Sequence, residues 1–155
     1  MGTDTMCGRL VSGALATAVV MLGASGCTDS SHSMCVVVNP AGWRADDEAC
    51  MVYDNTDTLS FRELSVYSVW TAGNERREPL VLDVAIMTPN SLWFEQQVEV
   101  PSVAGGGIGE QTFRAHALLG RTGEYRFVVK HAGPSAVDEL RAVGIEITCT
   151  EDGKR

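Results

Sequence analysis

The chain has 155 residues, of which 45% are hydrophobic, and a formal net charge of −8. An acidic surface repels phosphate backbones, and no cluster of lysines and arginines offsets it, so nucleic acid is excluded as a partner. The length suits one globular domain, and such a domain buries enough surface to fold without a framework of disulfides.

The first 26 residues have the pattern of an export signal. Arg9 is the only basic residue before the uncharged run 10–26, and this run ends in small residues. A membrane-spanning helix needs roughly 20 strongly apolar residues, whereas Gly, Ser and Thr interrupt this run. Residues 1–26 are therefore predicted to be a signal peptide that is removed on export.

Cys27 directly follows this run and is the predicted site of lipid attachment. A bacterial lipoprotein signal places a leucine three residues before the modified cysteine, whereas here Ala24 holds that place and Leu22 lies five residues before Cys27. Residues 27–34 are then the lipidated cysteine and a polar tether. The alternative is ordinary cleavage after Gly26, which would leave the Cys27 thiol free to oxidise.

Three further cysteines, Cys35, Cys50 and Cys149, belong to the exported part of the chain. An oxidising compartment favours disulfides, and an odd count permits one internal bridge, so two of these three are candidates for it. Three thiols without a bridge is the alternative. No Cys-x-x-Cys pair or Cys/His ligand spacing occurs, so no metal site is predicted.

Residues 35–155 are predicted to form a single antiparallel β-sandwich of about eight short strands. Apolar and polar residues alternate with period two in most segments, while residues 64–70 are apolar on both faces and indicate a central strand. Turn signals separate the segments at near-regular spacing. Residues 135–138 are predicted to start one helical turn before the last strand. The segments with strand patterns are residues 50–53, 64–70, 79–88, 92–100, 113–119, 125–130 and 143–149.

The sequence offers no arrangement typical of catalysis, and neither catalytic residues nor a cofactor are predicted. A nucleophile elbow, Gly-x-Ser-x-Gly, does not occur. His116 and His131 are both assigned to polar strand faces and are predicted to be solvated. The adjacent acids Asp46, Asp47 and Glu48 are interpreted as a solvated run. The glycine-rich residues 104–110 are predicted to be a flexible loop between two strands.

The tryptophans leave a second function open. Trp70 shares a face with Leu64 and Val66, which favours packing in the core. Trp93 alternates with Glu95 and Gln97 and is predicted to be the more exposed. Packing in the core or at an edge of the sheets is one interpretation of Trp93. The other is a platform for stacking sugar rings, as in carbohydrate-binding sandwiches.

The segments "PAGW" (residues 40–43), "GEYRFVVKH" (residues 123–131) and "LRAVGIEI" (residues 140–147) resemble the GldH family of gliding-motility lipoproteins. The resemblance implies a protein of the bacterial cell envelope, more specifically of the outer membrane, held there by a lipid on Cys27. It also implies other envelope proteins of gliding or type IX secretion as partners. The family supplies no catalytic residues. The sequence therefore favours a non-enzymatic accessory protein, with a lipid-anchored glycan-binding module as the alternative.

Overall fold

The computed structural model describes residues 31–150, which form eight β-strands and no helix, so this part of the chain has no helix that could span a bilayer. The predicted all-β fold is confirmed. Cys27 and the export signal lie outside the described residues. The strands are β1 Ser31–Val37, β2 Ala49–Asn55, β3 Phe61–Trp70, β4 Leu80–Met87, β5 Trp93–Val100, β6 Gly107–Leu118, β7 Gly123–His131 and β8 Leu140–Cys149.

The strands form two antiparallel four-stranded sheets in a sandwich. One sheet has the order β1-β8-β3-β6 and the other the order β2-β7-β4-β5. Strand β3 lies between β8 and β6, which confirms the prediction that the segment apolar on both faces is central. Strands β1 and β2 are the sheet edges on one side of the sandwich, and β5 and β6 are the edges on the other.

The core lies between the two sheets and follows from the alternation of side chains along each strand. Phe127 and Val129 of β7 face Ile145 and Ile147 of β8, and all four are fully buried. Each such side chain contributes about 1.5–3 kcal/mol by leaving water. Trp70 is also buried, as its pattern predicts.

The first strand begins four residues before position 35, the predicted start of the domain. Residues 31–37 pair in register with residues 142–148 of β8. Only Met34 and Val36 of this edge strand pack against the core. Its remaining residues are exposed, so the segment has the composition of a tether although it is a strand.

The helical turn predicted for residues 135–138 is wrong. Val137 forms an isolated β-bridge with Trp43, in which each backbone N–H donates to the carbonyl oxygen of the other residue at 2.8–2.9 Å. Both side chains are buried. The burial of Val137 beside Trp43 holds the segment extended and overrides its local helical preference.

The prediction of a solvated His131 is also wrong, because the side chain is 2% exposed. His131 has the same parity as Tyr125, Phe127 and Val129, so it ends the inward face of β7. Its ring lies 5.3 Å from the Trp43 ring, edge to face. His116, by contrast, is exposed on β6 as predicted.

Candidate functional site

A groove separates β5 from β6 on the side of the sandwich where these two strands are the sheet edges. Its volume is about 460 Å³, within the range of about 300–1,000 Å³ typical of binding clefts. Core side chains form its floor and half-exposed apolar side chains form its walls. The floor includes Leu64, Val84 and Tyr125, and the walls include Leu92, Phe94, Phe113, Ala117 and Leu118.

The groove is open because β6 bulges away from β3 at this point. Residues 62–65 of β3 are paired with residues 112–117 of β6, with register shifts on both sides of Leu64. The bulged strand therefore has two more residues than its partner over this stretch. Bulges bend an edge strand and redirect its side chains, so this irregularity parts the two sheet edges.

The rim of the groove is polar and mainly basic. Arg114, His116 and Arg121 lie on the β6 side, and Glu95 lies on the β5 side. At one position the Gln96 side-chain amide donates to the carbonyl oxygen of Phe113 at 3.4 Å and joins the two edges. An apolar channel with a cationic rim suits an amphipathic ligand that carries an acidic group.

Both strands beside the groove also have an edge without a neighbouring strand in the described part of the chain. Such edges present backbone N–H and C=O groups that an added strand can satisfy. An extended peptide can thus pair with β5 or β6 and place alternate side chains in the apolar channel.

Trp93 lies beside the groove but faces away from it, on the outer face of the second sheet. Its side chain is 43% exposed, and its indole N–H donates to Glu95 at 3.4 Å. Further along this face Gln97 donates to Asp83 at 3.0 Å. An exposed indole beside fixed amide and carboxylate groups has the chemistry of a sugar-stacking surface.

The acidic loops have structural roles in this fold. Hydrogen bonds from the Ser60 hydroxyl and from the N–H groups of Leu59 and Ser60 lower the pKa of Asp57 to about 2. Asp57 also pairs at 3.4 Å with the buried guanidinium of Arg62. Asp46 pairs with Arg44 at 3.1 Å. Residues 31–150 contain no cluster of three or more His, Cys, Asp or Glu side chains that could hold a metal ion.

The three candidate disulfide cysteines lie on three different strands. Cys35 is an exposed free thiol on β1 opposite Gly144, five residues from Cys149 along β8. That separation corresponds to about 17 Å, too far for a bridge between them. Cys50 lies on β2 in the other sheet. The predicted bridge therefore remains a prediction for the two pairs that include Cys50. The Sγ of Cys149 accepts a hydrogen bond from Arg62 at 3.2 Å.

Comparisons with known proteins place the chain in no family. No family model and no curated protein matches it. Among solved structures, dimeric latent PorU from Porphyromonas gingivalis is similar over 83% of this chain and 13% of that one, with 10% identity and a TM-score of 0.38. A promiscuous carbohydrate-binding module of the β-sandwich superfamily is similar over 77% and 54%, with 14% identity and a TM-score of 0.33. The chain therefore spans only 13% of the first of these proteins and 54% of the second.

Proposed function

We propose that this chain is a non-enzymatic, lipid-anchored protein of the bacterial cell envelope that binds a segment of another envelope protein. The observation that carries the proposal is the β5–β6 groove, which combines an apolar channel of about 460 Å³ with two strand edges. The GldH-like segments support an accessory place in an assembly related to gliding motility or type IX secretion. Lipid attachment at Cys27 is part of the proposal.

Filling the groove is expected to lower recovery of the partner strongly. Ala117 lies in the channel, so Ala117→Gln puts a longer polar side chain where the partner's apolar residues would pack. Ala115 is exposed on the same strand, so Ala115→Gln makes the same chemical change outside the channel. The measurement is co-purification of the tagged protein from cross-linked native envelopes.

Wild type and Ala115→Gln are expected to recover the same envelope proteins, and Ala117→Gln is expected to lose them by about tenfold or more, the factor for one apolar contact of about 1.4 kcal/mol. Equal recovery by all three chains would rule out the groove as the binding site. Comparable melting temperatures of the two variants are the check that folding is not the cause.

Glycan binding on the outer face is the second candidate function, favoured by the exposure of Trp93 beside the Asp83–Gln97 pair. Trp43 and Trp70 are buried, so a change in tryptophan fluorescence on adding soluble polysaccharide reports on Trp93. We expect such a change to be lost in Trp93→Phe if the sugar stacks there. Unchanged fluorescence across envelope and host polysaccharides would eliminate this function.

A further inference from the structure

One end of the sandwich collects most of its exposed large hydrophobic side chains. This N-terminal end comprises the start of β1, the loops 56–60, 88–92 and 119–122, and the strand ends beside them. The Asn55 side chain joins the two sheets here, because its amide donates to the carbonyl oxygens of Leu119 and Arg121. Of the nine exposed large hydrophobics in residues 31–150, six lie at this end, namely Leu59, Phe61, Leu92, Trp93, Phe94 and Leu118.

The opposite end is strongly acidic. Its loops, residues 38–48, 71–79, 101–106 and 132–139, contain three arginines and seven carboxylates. The carboxylates are Asp46, Asp47, Glu48, Glu75, Glu78, Asp138 and Glu139. The three loops of the N-terminal end carry only Asp57, which pairs with Arg62, and Arg121. The acidic charge of the loops is therefore concentrated at the end remote from the exposed apolar side chains, while the strand ends beside the apolar loops add Asp54 and the Glu124–Arg126 ion pair.

The apolar side chains at the N-terminal end come from separate loops that the fold brings together. Leu59 follows β2 and is 86% exposed, whereas Leu92 precedes β5 and is 52% exposed. Leu118 ends β6 beside the exposed cation Arg121. Leu92, Phe94 and Leu118 line one groove, and Phe61 pairs with Leu118. An exposed apolar surface of this kind marks a contact with a membrane or another macromolecule.

The end of the sandwich at which the chain enters the fold favours a membrane over another macromolecule as the partner of this surface. Ser31 begins β1 at this same end, and Cys27 precedes it by four residues. Four residues reach at most about 14 Å, so a lipid on Cys27 brings this end, and not the acidic one, to the bilayer. This step rests on the proposed lipid anchor.

We infer that the N-terminal end of the sandwich is a membrane-contacting surface, whose partner is the headgroup and acyl boundary of a bilayer containing anionic lipid. Leu59, Leu92 and Leu118 supply apolar area for the acyl boundary. Trp93 has the amphipathic ring that collects at membrane interfaces, and Arg121 can pair with lipid phosphate. The surface orients the anchored domain and keeps its acidic end away from the lipid headgroups.

The experiment measures lipid contact in the absence of the anchor. The exported chain carrying Cys27→Ala is mixed with phosphatidylethanolamine–phosphatidylglycerol vesicles, with and without bromine on the acyl chains. Because Trp43 and Trp70 are buried, quenching by bromine reports on Trp93. We expect a blue shift and quenching of Trp93 that rise with lipid concentration.

A pair of double variants tests the residues. Leu59→Ser with Leu92→Ser removes two side chains from the N-terminal end, and the partition coefficient is expected to fall about tenfold or more. Val37→Ser with Ile108→Ser removes two exposed side chains from the acidic end of the sandwich, where β1 ends and β6 begins. This control is expected to partition like its parent, and both pairs are expected to melt like it because all four side chains are exposed.

Different measurements test the membrane-contacting surface and the lipid anchor. Mass spectrometry of the native amino terminus reports lipidation of Cys27, while vesicle quenching reports the surface. An unmodified Cys27 together with quenched Trp93 would rule out the lipid anchor and still support the membrane-contacting surface. A lipidated Cys27, with no quenching and equal partition of both variant pairs, would overturn the inference. A Trp93 that responds to polysaccharide and not to vesicles would also overturn it and favour glycan binding.

Discussion

Gly144→Ala is expected to lower the free energy of unfolding by about 2–3 kcal/mol, because the site has no room for a methyl group. Gly144 lies in β8 between Cys35 of β1 and Tyr67 of β3. The Tyr67 ring lies over it, and an added Cβ would overlap this ring and approach the carbonyl oxygen of Met34. The loss is a large part of the 5–15 kcal/mol that stabilises a typical domain.

The same substitution is expected to loosen β1. The Tyr67 hydroxyl crosses Gly144 to reach β1, where it bonds with the Ser33 hydroxyl at 2.9 Å and the Met34 carbonyl oxygen at 3.3 Å. Displacing the ring breaks both bonds. Amide hydrogen exchange is therefore expected to rise in β1 before it rises in the central strand β3.

Two further variants make this prediction specific. Gly120→Ala adds a methyl group where no atom lies within 4 Å, and its denaturation midpoint is expected to match wild type. In a Tyr67→Ala background, Gly144→Ala is expected to cost less, with a coupling energy of about 1–2 kcal/mol. A Gly144→Ala chain as stable as Gly120→Ala would show that the ring moves aside without cost.

The central strands could be predicted from the sequence because their buried positions carry apolar residues in a regular pattern. Val143, Ile145 and Ile147 alternate along β8 and are fully buried. Strand β3 is apolar on both faces and lies between two neighbours. In such segments a one-residue slip in register would expose the whole apolar face, so the alternation is strict and readable.

The edges of the sandwich could not be predicted in this way, because an edge strand has fewer buried positions. Strand β1 buries only Met34 and Val36 in part, so its polar residues resemble a linker. The bulges of β6 could not be predicted from the sequence for the same reason. Phe113, Ala115 and Ala117 alternate as a regular strand would, but the pairing with β3 shifts twice between Thr112 and Ala117.

The groove was missed because it is a product of pairing between distant segments. Leu92 and Phe94 share the parity of the buried Val98 and Val100, so alternation alone places them on the buried face. Half of that face is exposed, because the bulged β6 does not cover it. That Trp93 is more exposed than Trp70, by contrast, depends only on alternation within the strands and was predicted from the sequence.

Acidification below the ordinary histidine pKa of 6.5 is expected to destabilise the domain through His131. Burial of the ring is the main cause that lowers the pKa of His131, and Arg76 lowers it further. The nearby Trp43 backbone and the Asp47 carboxylate oppose this shift. Neither ring nitrogen forms a hydrogen bond of acceptable geometry with another described residue, so the folded state favours the neutral ring.

The direction in which stability changes with pH follows from the protons bound by the folded and unfolded states. Below pH 6.5 the unfolded chain takes up a proton on His131 that the folded chain resists, so stability falls as the pH falls. Above pH 6.5 both states are neutral and the contribution is fully present. Asp57, with a pKa of about 2 against an ordinary 3.8, titrates at lower pH and contributes little to the difference between pH 8 and pH 5.

Thermal unfolding of His131→Phe at the two pH values is the measurement. Phenylalanine keeps an aromatic ring against Trp43 and leaves no buried nitrogen without a partner, so the decrease in melting temperature from pH 8 to pH 5 is expected to shrink. His116→Phe removes an exposed histidine from β6 and is expected to retain the wild-type decrease. An equal decrease in all three chains would contradict the prediction, because it would mean that His131 binds protons equally well in the folded and unfolded states.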